Sequence, residues 1–228
     1  MVTDDMIIPE NDRLFLDFIN GSKIWYKRGS TVYGTYDPDK SDIDYIIVTN
    51  NTYIDILSNY ENNTFQYAFE RNGYRLDYSV ITEEHFEQMI KDNDIVALEC
   101  LFADGKYKTS NDLQYIKLFK LDKWKLRKNV SSIASNSFVK AKKKMTVEKD
   151  YNLYIGQKSL WHALRLYMFA IQIAETGRIY NFSEANDLWF GIKNEENPTW
   201  EVYYTKYKPL FNTLRSTLVK LCDRPKDN

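Results

Sequence analysis

Near residue 110 the spacing of apolar residues changes, and that change limits the folds open to this chain. Before it, short runs rich in β-branched and aromatic residues alternate with turn signals. Lys23 to Lys27 reads as a strand running into Gly29-Ser30, and Asp42 to Thr49 (DIDYIIVT) as a second, bounded by Asp37-Pro38 and Asn50-Asn51. Thr64 to Glu70 and Tyr74 to Ile81 are two more, joined by Asn72-Gly73, a strong signal for a two-residue hairpin. Asp12 to Ile19 reads as a short amphipathic helix ending near Gly21. Thr82 reads as the cap of a helix opening with Glu83-Glu84, acids suited to the positive end of a helix. After the change, helices are expected near Asn111 to Phe119, Asp122 to Met145, Gln157 to Thr176, Ser183 to Phe190 and Thr199 to Cys222, with Gly177 ending the third. Strands followed by helices predict an α+β fold: a catalytic sheet with flanking helices over residues 1–120 and a helical domain over residues 121–228.

Composition removes several function classes. A chain of 228 residues buries a core without disulfide staples, and two distant cysteines, Cys100 and Cys222, exclude a disulfide framework. With His85 and His162 as the only imidazoles, a four-ligand nitrogen/sulfur site would need every His and Cys of the chain, so any metal is expected to be held by oxygen, which points to magnesium or manganese. Asp4, Asp5 and Glu10 stand where a signal peptide needs basic and apolar residues. The apolar stretch from Leu160 to Ala174 is broken by His162, Arg165 and Gln172 and is shorter than the roughly 20 residues of a membrane span. A soluble, cytoplasmic protein is expected.

The formal charge of -1 conceals an uneven distribution. From Lys117 to Lys149 there are eleven Lys or Arg against two acids, Asp122 and Glu148, while the rest of the chain holds twenty basic and thirty acidic residues. Such a run is either a solvated helix face or a phosphate-facing surface. Trp124, among Lys123, Lys125, Arg127 and Lys128, suits either base stacking or a core position between solvated lysines.

The segment from Arg28 to Val48 (RGSTVYGTYDPDKSDIDYIIV) carries the chemistry. A strand ends at Gly29-Ser30, a turn with Gly34 follows, and the next strand opens with Asp42-Ile43-Asp44. Alternation points Asp42 and Asp44 the same way, where two acids repel each other unless they face solvent or a divalent cation. In Tyr74 to Val80, Leu76, Tyr78 and Val80 share one face and Arg75, Asp77 and Ser79 the other. If this hairpin joins the sheet beside the Asp42 strand, Asp77 completes a three-carboxylate cluster. A lone D-x-D also suits an exposed strand end, but an acid in the middle of a second, half-buried strand favours the cluster.

Gly29-Ser30, Asp42-x-Asp44 and Asp77 together resemble the signature of the DNA polymerase β-type nucleotidyltransferase superfamily. The form GSTVYGTYDPDKSDID, with the later helix GQKSLWHALRLYMFAIQIAETGRI, is similar to the predicted nucleotidyltransferases associated with RNA ligases and RNA repair. The signature occupies roughly the first 80 residues and the helical similarity extends to about residue 180, leaving the last stretch unassigned. The resemblance implies that Asp42, Asp44 and Asp77 are catalytic and hold two Mg2+ or Mn2+ ions about 4 Å apart, Asp77 binding the one that activates the attacking hydroxyl. It also implies that Gly29 admits the terminal phosphates to the backbone while Ser30 offers a hydroxyl and an N–H.

The helix from Gln157 to Thr176 adds a second wall. At 100° per residue, Lys158, His162, Arg165, Phe169 and Gln172 fall within a sector about 80° wide, and the helix is otherwise apolar nearly all round. Buried cations in register need an anion opposite them. That anion is either an acid of the first domain or a bound triphosphate, and the resemblance favours the triphosphate. Lys158, His162 and Arg165 are therefore expected to contact nucleotide phosphates, with Lys140 and Lys144 of the basic run either assisting with the triphosphate or guiding a nucleic-acid backbone, and Arg165→Ala to weaken NTP binding with the fold intact. The expected activity is metal-dependent transfer of NMP from an NTP to a hydroxyl of an RNA or tRNA end. The same chemistry on a protein or small molecule, and a nucleotide- or RNA-binding module without turnover, are the alternatives.

Overall fold

The computed structural model describes residues 10–20, 24–50, 64–109 and 112–223. Asp4, Asp5, Gly21, Lys23, Asn51 and Asn111 lie outside them. The elements follow the order α1 (Glu10–Asn20), β1 (Ile24–Arg28), α2 (Ser30–Tyr33), β2 (Ile43–Thr49), β3 (Thr64–Arg71), β4 (Tyr74–Thr82), α3 (Glu83–Lys91) and α4 (Ile95–Phe102). The helical half then runs through α5 (Leu113–Leu118), α6 (Lys123–Thr146), α7 (Leu153–Thr176), α8 (Asn186–Lys193) and α9 (Trp200–Leu221). Among the described residues no helix is long and apolar enough to cross a membrane.

The strands form one mixed sheet in the order β1-β2-β4-β3, with β1 antiparallel to β2, β2 parallel to β4 and β4 antiparallel to β3. Asn72 and Gly73 both take positive φ, 53° and 75°, as a tight turn matched to the twist of its strands requires. Thr82 accepts a hydrogen bond from the His85 N–H and starts α3. Alternation gives the sheet two different faces. Ile47, Phe69, Tyr78 and Val80 pack on one face with Phe15 of α1. Ile24, Tyr26, Ile46, Val48 and Ile81 join the other face to the helices, in a core that continues through α7 to Cys222. That core is unbroken across residue 120.

Two side chains clamp the junction between the sheet and the helical half. Asn93, buried and at φ 53°, donates to the Lys120 carbonyl and accepts from the Asp122 N–H. Asn129 of α6 accepts from the Ile95 N–H and donates to Asp94, the cap of α4. Helices α6 and α7 approach closely because Gly156 has no side chain. A Cβ there would lie 2.7 Å from Met145 Cγ and 3.4 Å from the Ala141 carbonyl oxygen. This approach lays the stripe of α7 alongside α6.

Candidate active site

Asp44 lies opposite Asp77 on the adjacent parallel strand and opposite Arg28 across the antiparallel pair, so register alone puts these three on one face. Burial pushes the Asp44 carboxyl above its ordinary value; Arg28 and Lys158 pull it down, while Asp77 and Asp42 push it further up. Asp42, two residues earlier, is turned toward Arg75, its Oδ1 3.6 Å from Nε. Asp44 and Asp77 are therefore brought side by side, while Asp42 faces Arg75. Among the described residues no three acid, histidine or cysteine side chains form a ready-made metal cluster. The departure from a closed three-carboxylate cluster has a physical reason: three acids without a cation repel one another, and Arg75 offers the outermost one a partner.

Gly29 adopts φ 70° and ψ −153°, and a Cβ on it would stand 2.1 Å from Asp44 Oδ2. The glycine of the signature thus makes room for the carboxylate of the D-x-D, in addition to any role toward phosphates. The single turn of α2 follows, with the Gly29 carbonyl accepting from the N–H groups of Val32 and Tyr33. The helical half holds this turn from outside, since Asn186 donates to the Tyr33 carbonyl and Lys193 pairs with Asp37 at 2.9 Å.

Next to the glycine turn, a cavity of about 470 Å³ is lined by Ser30 and Tyr33 of α2, Ser137 and Lys140 of α6, and Lys158, His162 and Arg165 of α7, among others. Five residues expected from sequence to meet nucleotide phosphates therefore surround one space. Their states differ. Lys140 and Lys158 are exposed and have no ion pair among the described residues; Lys158 lies 5.7 Å from the Tyr154 ring centroid. Arg165 is 5% exposed and committed to the first domain: its Nη2 is 3.8 Å from Glu99 Oε1 and donates to Tyr33 Oη at 3.2 Å. Tyr33 in turn donates to Glu99 at 2.5 Å, and the guanidinium lies 3.8 Å from the Tyr33 ring centroid and 4.6 Å from that of Trp161. The Nε atoms of Arg165 and Arg28 are both buried without a hydrogen-bond partner.

The remaining candidates separate cleanly. His162 Nδ1 lies 3.2 Å from Ser137 Oγ. Burial, then Arg165, Arg28, Lys140 and Lys158, hold its ring well below the usual imidazole range. Lys144 pairs with Asp150 at 2.5 Å and is turned away from the assisting role expected of it. Gln172, at the end of the stripe, accepts from the Tyr180 and Asn181 N–H groups and donates to Asn181 and Glu184, tying down the chain after α7. Half-buried Trp124 carries the Arg127 guanidinium over its ring at 5.1 Å.

Sequence reasoning did not find Glu99, Arg28, Tyr33 or Ser137. Glu99 carried a readable signal, because a single acid in the apolar run IVALECLF must be buried and therefore paired. Cys100 beside it is buried, its thiol pushed up to about 12 by burial, and is inert.

Residues 14–101 match the nucleotidyltransferase domain family. No curated protein matches the chain. Among solved structures, it is similar to a nucleotidyltransferase-like protein from Exiguobacterium sibiricum 255-15, with 12% identity, 93% of this chain and 75% of the other covered, and a TM-score of 0.37. It is also similar to an aminoglycoside 6-adenyltransferase from Bacillus subtilis, with 13% identity, 93% and 90% covered, and a TM-score of 0.32. The matched segment contains the glycine turn, Asp42, Asp44, Asp77 and Glu99.

Proposed function

We propose that this protein transfers NMP from an NTP to a hydroxyl on an RNA or tRNA end, using Asp42, Asp44 and Asp77 on the sheet and the cavity beside Gly29 for the phosphates. One observation carries the reading: Ser30, Lys140, Lys158, His162 and Arg165, from three separate helices, line one cavity next to the turn that seats Asp44. Lys140 and Lys158, cations of the cavity wall with no ion pair among the described residues, supply charge for a triphosphate, and the Nε of Arg165, which has no hydrogen-bond partner among those residues, supplies a donor in the wall.

Nucleotidyltransferase domains generally use divalent metal ions. The donor set here fits such ions in kind, because all three candidates are hard oxygen ligands and Asp44 is crowded by Asp77 and Asp42 in a way that a cation would relieve. Asp42, Asp44 and Asp77 would hold magnesium or manganese, which neutralises triphosphate charge and makes the acceptor hydroxyl more acidic. The chain's own residues do the rest: Gly29 seats Asp44, and the basic wall orients the polyphosphate in line with the acceptor.

The acceptor is argued from α6. Within Lys117 to Lys149, Lys117, Lys120, Lys123, Lys128, Lys140, Lys142 and Lys149 have no ion pair among the described residues, whereas Lys125, Lys143 and Lys144 do. Helix α6 has 24 residues, about 36 Å at 1.5 Å per residue, with basic side chains near both ends, and it sets Lys140 on the cavity wall. A helix of that length supports a polyanionic acceptor that reaches the site along it. The test is incubation with each labelled NTP, magnesium or manganese, and in turn tRNA, generic RNA and cell extract. Label in RNA supports the reading, label only in protein or a small molecule replaces the acceptor, and no transfer with either metal removes the enzymatic reading. Asp42→Ala and Asp44→Ala should each abolish transfer.

A further inference from the structure

His162 is the one imidazole among the residues lining the cavity, the side-chain type whose ordinary titration lies closest to neutral pH. The charged groups facing it are Lys158 and Arg165 on its own helix, Lys140 from α6 and Arg28 from β1. Of the acids beside these cations, Glu99 of α4 is engaged by Tyr33 and Arg165, and Asp44 of β2 stands within the field of Arg28 and Lys158. No carboxylate pairs with His162 among the described residues, so half-burial and four cations act in the same direction and keep the ring neutral. A polyphosphate entering the cavity reverses this field, since each cation that repelled a proton then faces an anion.

The contact from α6 suits a ring that changes state. Ser137 Oγ stands against Nδ1, which leaves Nε2 as the nitrogen free to meet a ligand. A hydroxyl donates to Nδ1 when that nitrogen is bare and accepts from it when it carries a proton, so Ser137 serves the neutral ring in either tautomer and the protonated ring without moving. A carboxylate in its place would have fixed the ring in the charged form.

We propose that His162 is the proton carrier of this cavity: it takes up a proton from solvent when a triphosphate enters and passes it to the pyrophosphate that leaves. The proposal rests on the reading that the cavity holds the phosphates of the nucleotide. As the acceptor oxygen bonds to the α-phosphorus, the bond from that phosphorus to the bridging oxygen breaks and the electron pair stays on the bridging oxygen. The proton on Nε2 goes to the pyrophosphate, the imidazole returns to neutral, and the acceptor hydroxyl releases its own proton to solvent. One proton is taken up and one released in each turnover. Proton donation of this kind contributes about 10²-fold or more to rate.

The first test is calorimetric binding of inorganic pyrophosphate near pH 6.5 in buffers of different ionisation enthalpy, for the wild type and for His162→Gln, which keeps a hydrogen-bonding group toward Ser137 but does not titrate. The wild type should take up close to one proton more than the variant, and kcat of the variant should fall about 100-fold with KM little changed. Equal proton uptake in both proteins overturns the proposal while leaving the cavity as the phosphate site. Failure of the wild type to bind pyrophosphate overturns the reading of the cavity itself. The second test needs no variant, because the chain has only two histidines and their ring proton resonances are readily assigned. The His162 resonance should titrate well below the ordinary imidazole range in the free protein and shift upward in midpoint when pyrophosphate is added; a midpoint that does not move overturns the proposal.

Discussion

On the sheet side of the cleft each acid is set by backbone register, whereas on the helical side cations of one stripe are given different tasks by what packs against them. Asp44 and Asp77 face each other because β2 and β4 are parallel neighbours in that register. Lys158 and Arg165 share a stripe of α7, yet the first is exposed with no ion pair among the described residues and the second is buried against Glu99, Tyr33 and Trp161. A strand therefore specifies geometry through its pleat, while a helix stripe specifies only direction, and the neighbouring elements decide whether a cation serves the ligand or the fold.

The largest expected effect strikes the sheet wall. Gly29→Ala puts a Cβ where Asp44 Oδ2 now lies, at a backbone conformation that side chains rarely adopt. Displacing Asp44 by an ångström or more should lower kcat about 100-fold. Strain at the positive φ should also cost about 1 kcal/mol of stability. Steady-state transfer assays and urea unfolding separate the two. Full activity in this variant would show that Asp44 tolerates displacement and that register is not what sets this wall.

The next effect concerns the helical wall. Glu99→Gln leaves Arg165 buried without its counter-ion and should cost about 3 kcal/mol of unfolding free energy. Glu99→Leu combined with Arg165→Met should recover most of that loss, as apolar replacement of a buried pair often does. The expectation that Arg165→Ala spares the fold is accordingly revised, since Arg165 joins α7 to α2 and α4. Urea midpoints for the single and double variants decide this, and a single variant as stable as wild type would return Arg165 to the ligand alone.

These two variants also mark what was legible in the sequence. The hairpin at Asn72-Gly73, the Thr82 cap, the Gly177 stop and the D-x-D strand were readable because each depends on residues a few positions apart. The sheet and the helical half followed from the periods. Helix α4 did not, because IVALECLF is apolar on all sides and has no period to detect. The stacking of Asp44 on Gly29, the pairing of Arg165 with Glu99 and the loss of Lys144 to Asp150 are contacts between elements, and local pattern does not encode the partner.

A smaller effect distinguishes the two cations of the stripe. Lys158→Ala removes an exposed charge and should weaken NTP binding about 10-fold, the loss of one charge-assisted contact. Its urea midpoint should match wild type, in contrast with Glu99→Gln. A Lys158→Ala protein that binds nucleotide normally but unfolds early would reverse the assignment of tasks along α7.

The smallest effect returns to the sheet wall and depends on pH. The native Asp44 carboxyl lies above its ordinary value, so the native state holds its proton more tightly than the unfolded chain. The stability that this proton supports is present at acid pH and lost as pH rises through the native value. At neutral pH an ionised Asp44, crowded by Asp77 and Asp42, is a net cost. Asp44→Asn keeps the shape without the charge, so its unfolding free energy should exceed that of wild type at pH 7 and approach it as the pH falls below the carboxylate range, while transfer activity is lost at every pH. Adding magnesium should narrow the difference at pH 7, because an ion that binds the native wild type stabilises it by mass action and lacks one ligand in the variant. A difference that is the same with and without magnesium would mean that Asp44 does not contribute to holding the ion, and the carboxylate wall would then owe its arrangement to Arg28 and Lys158 alone.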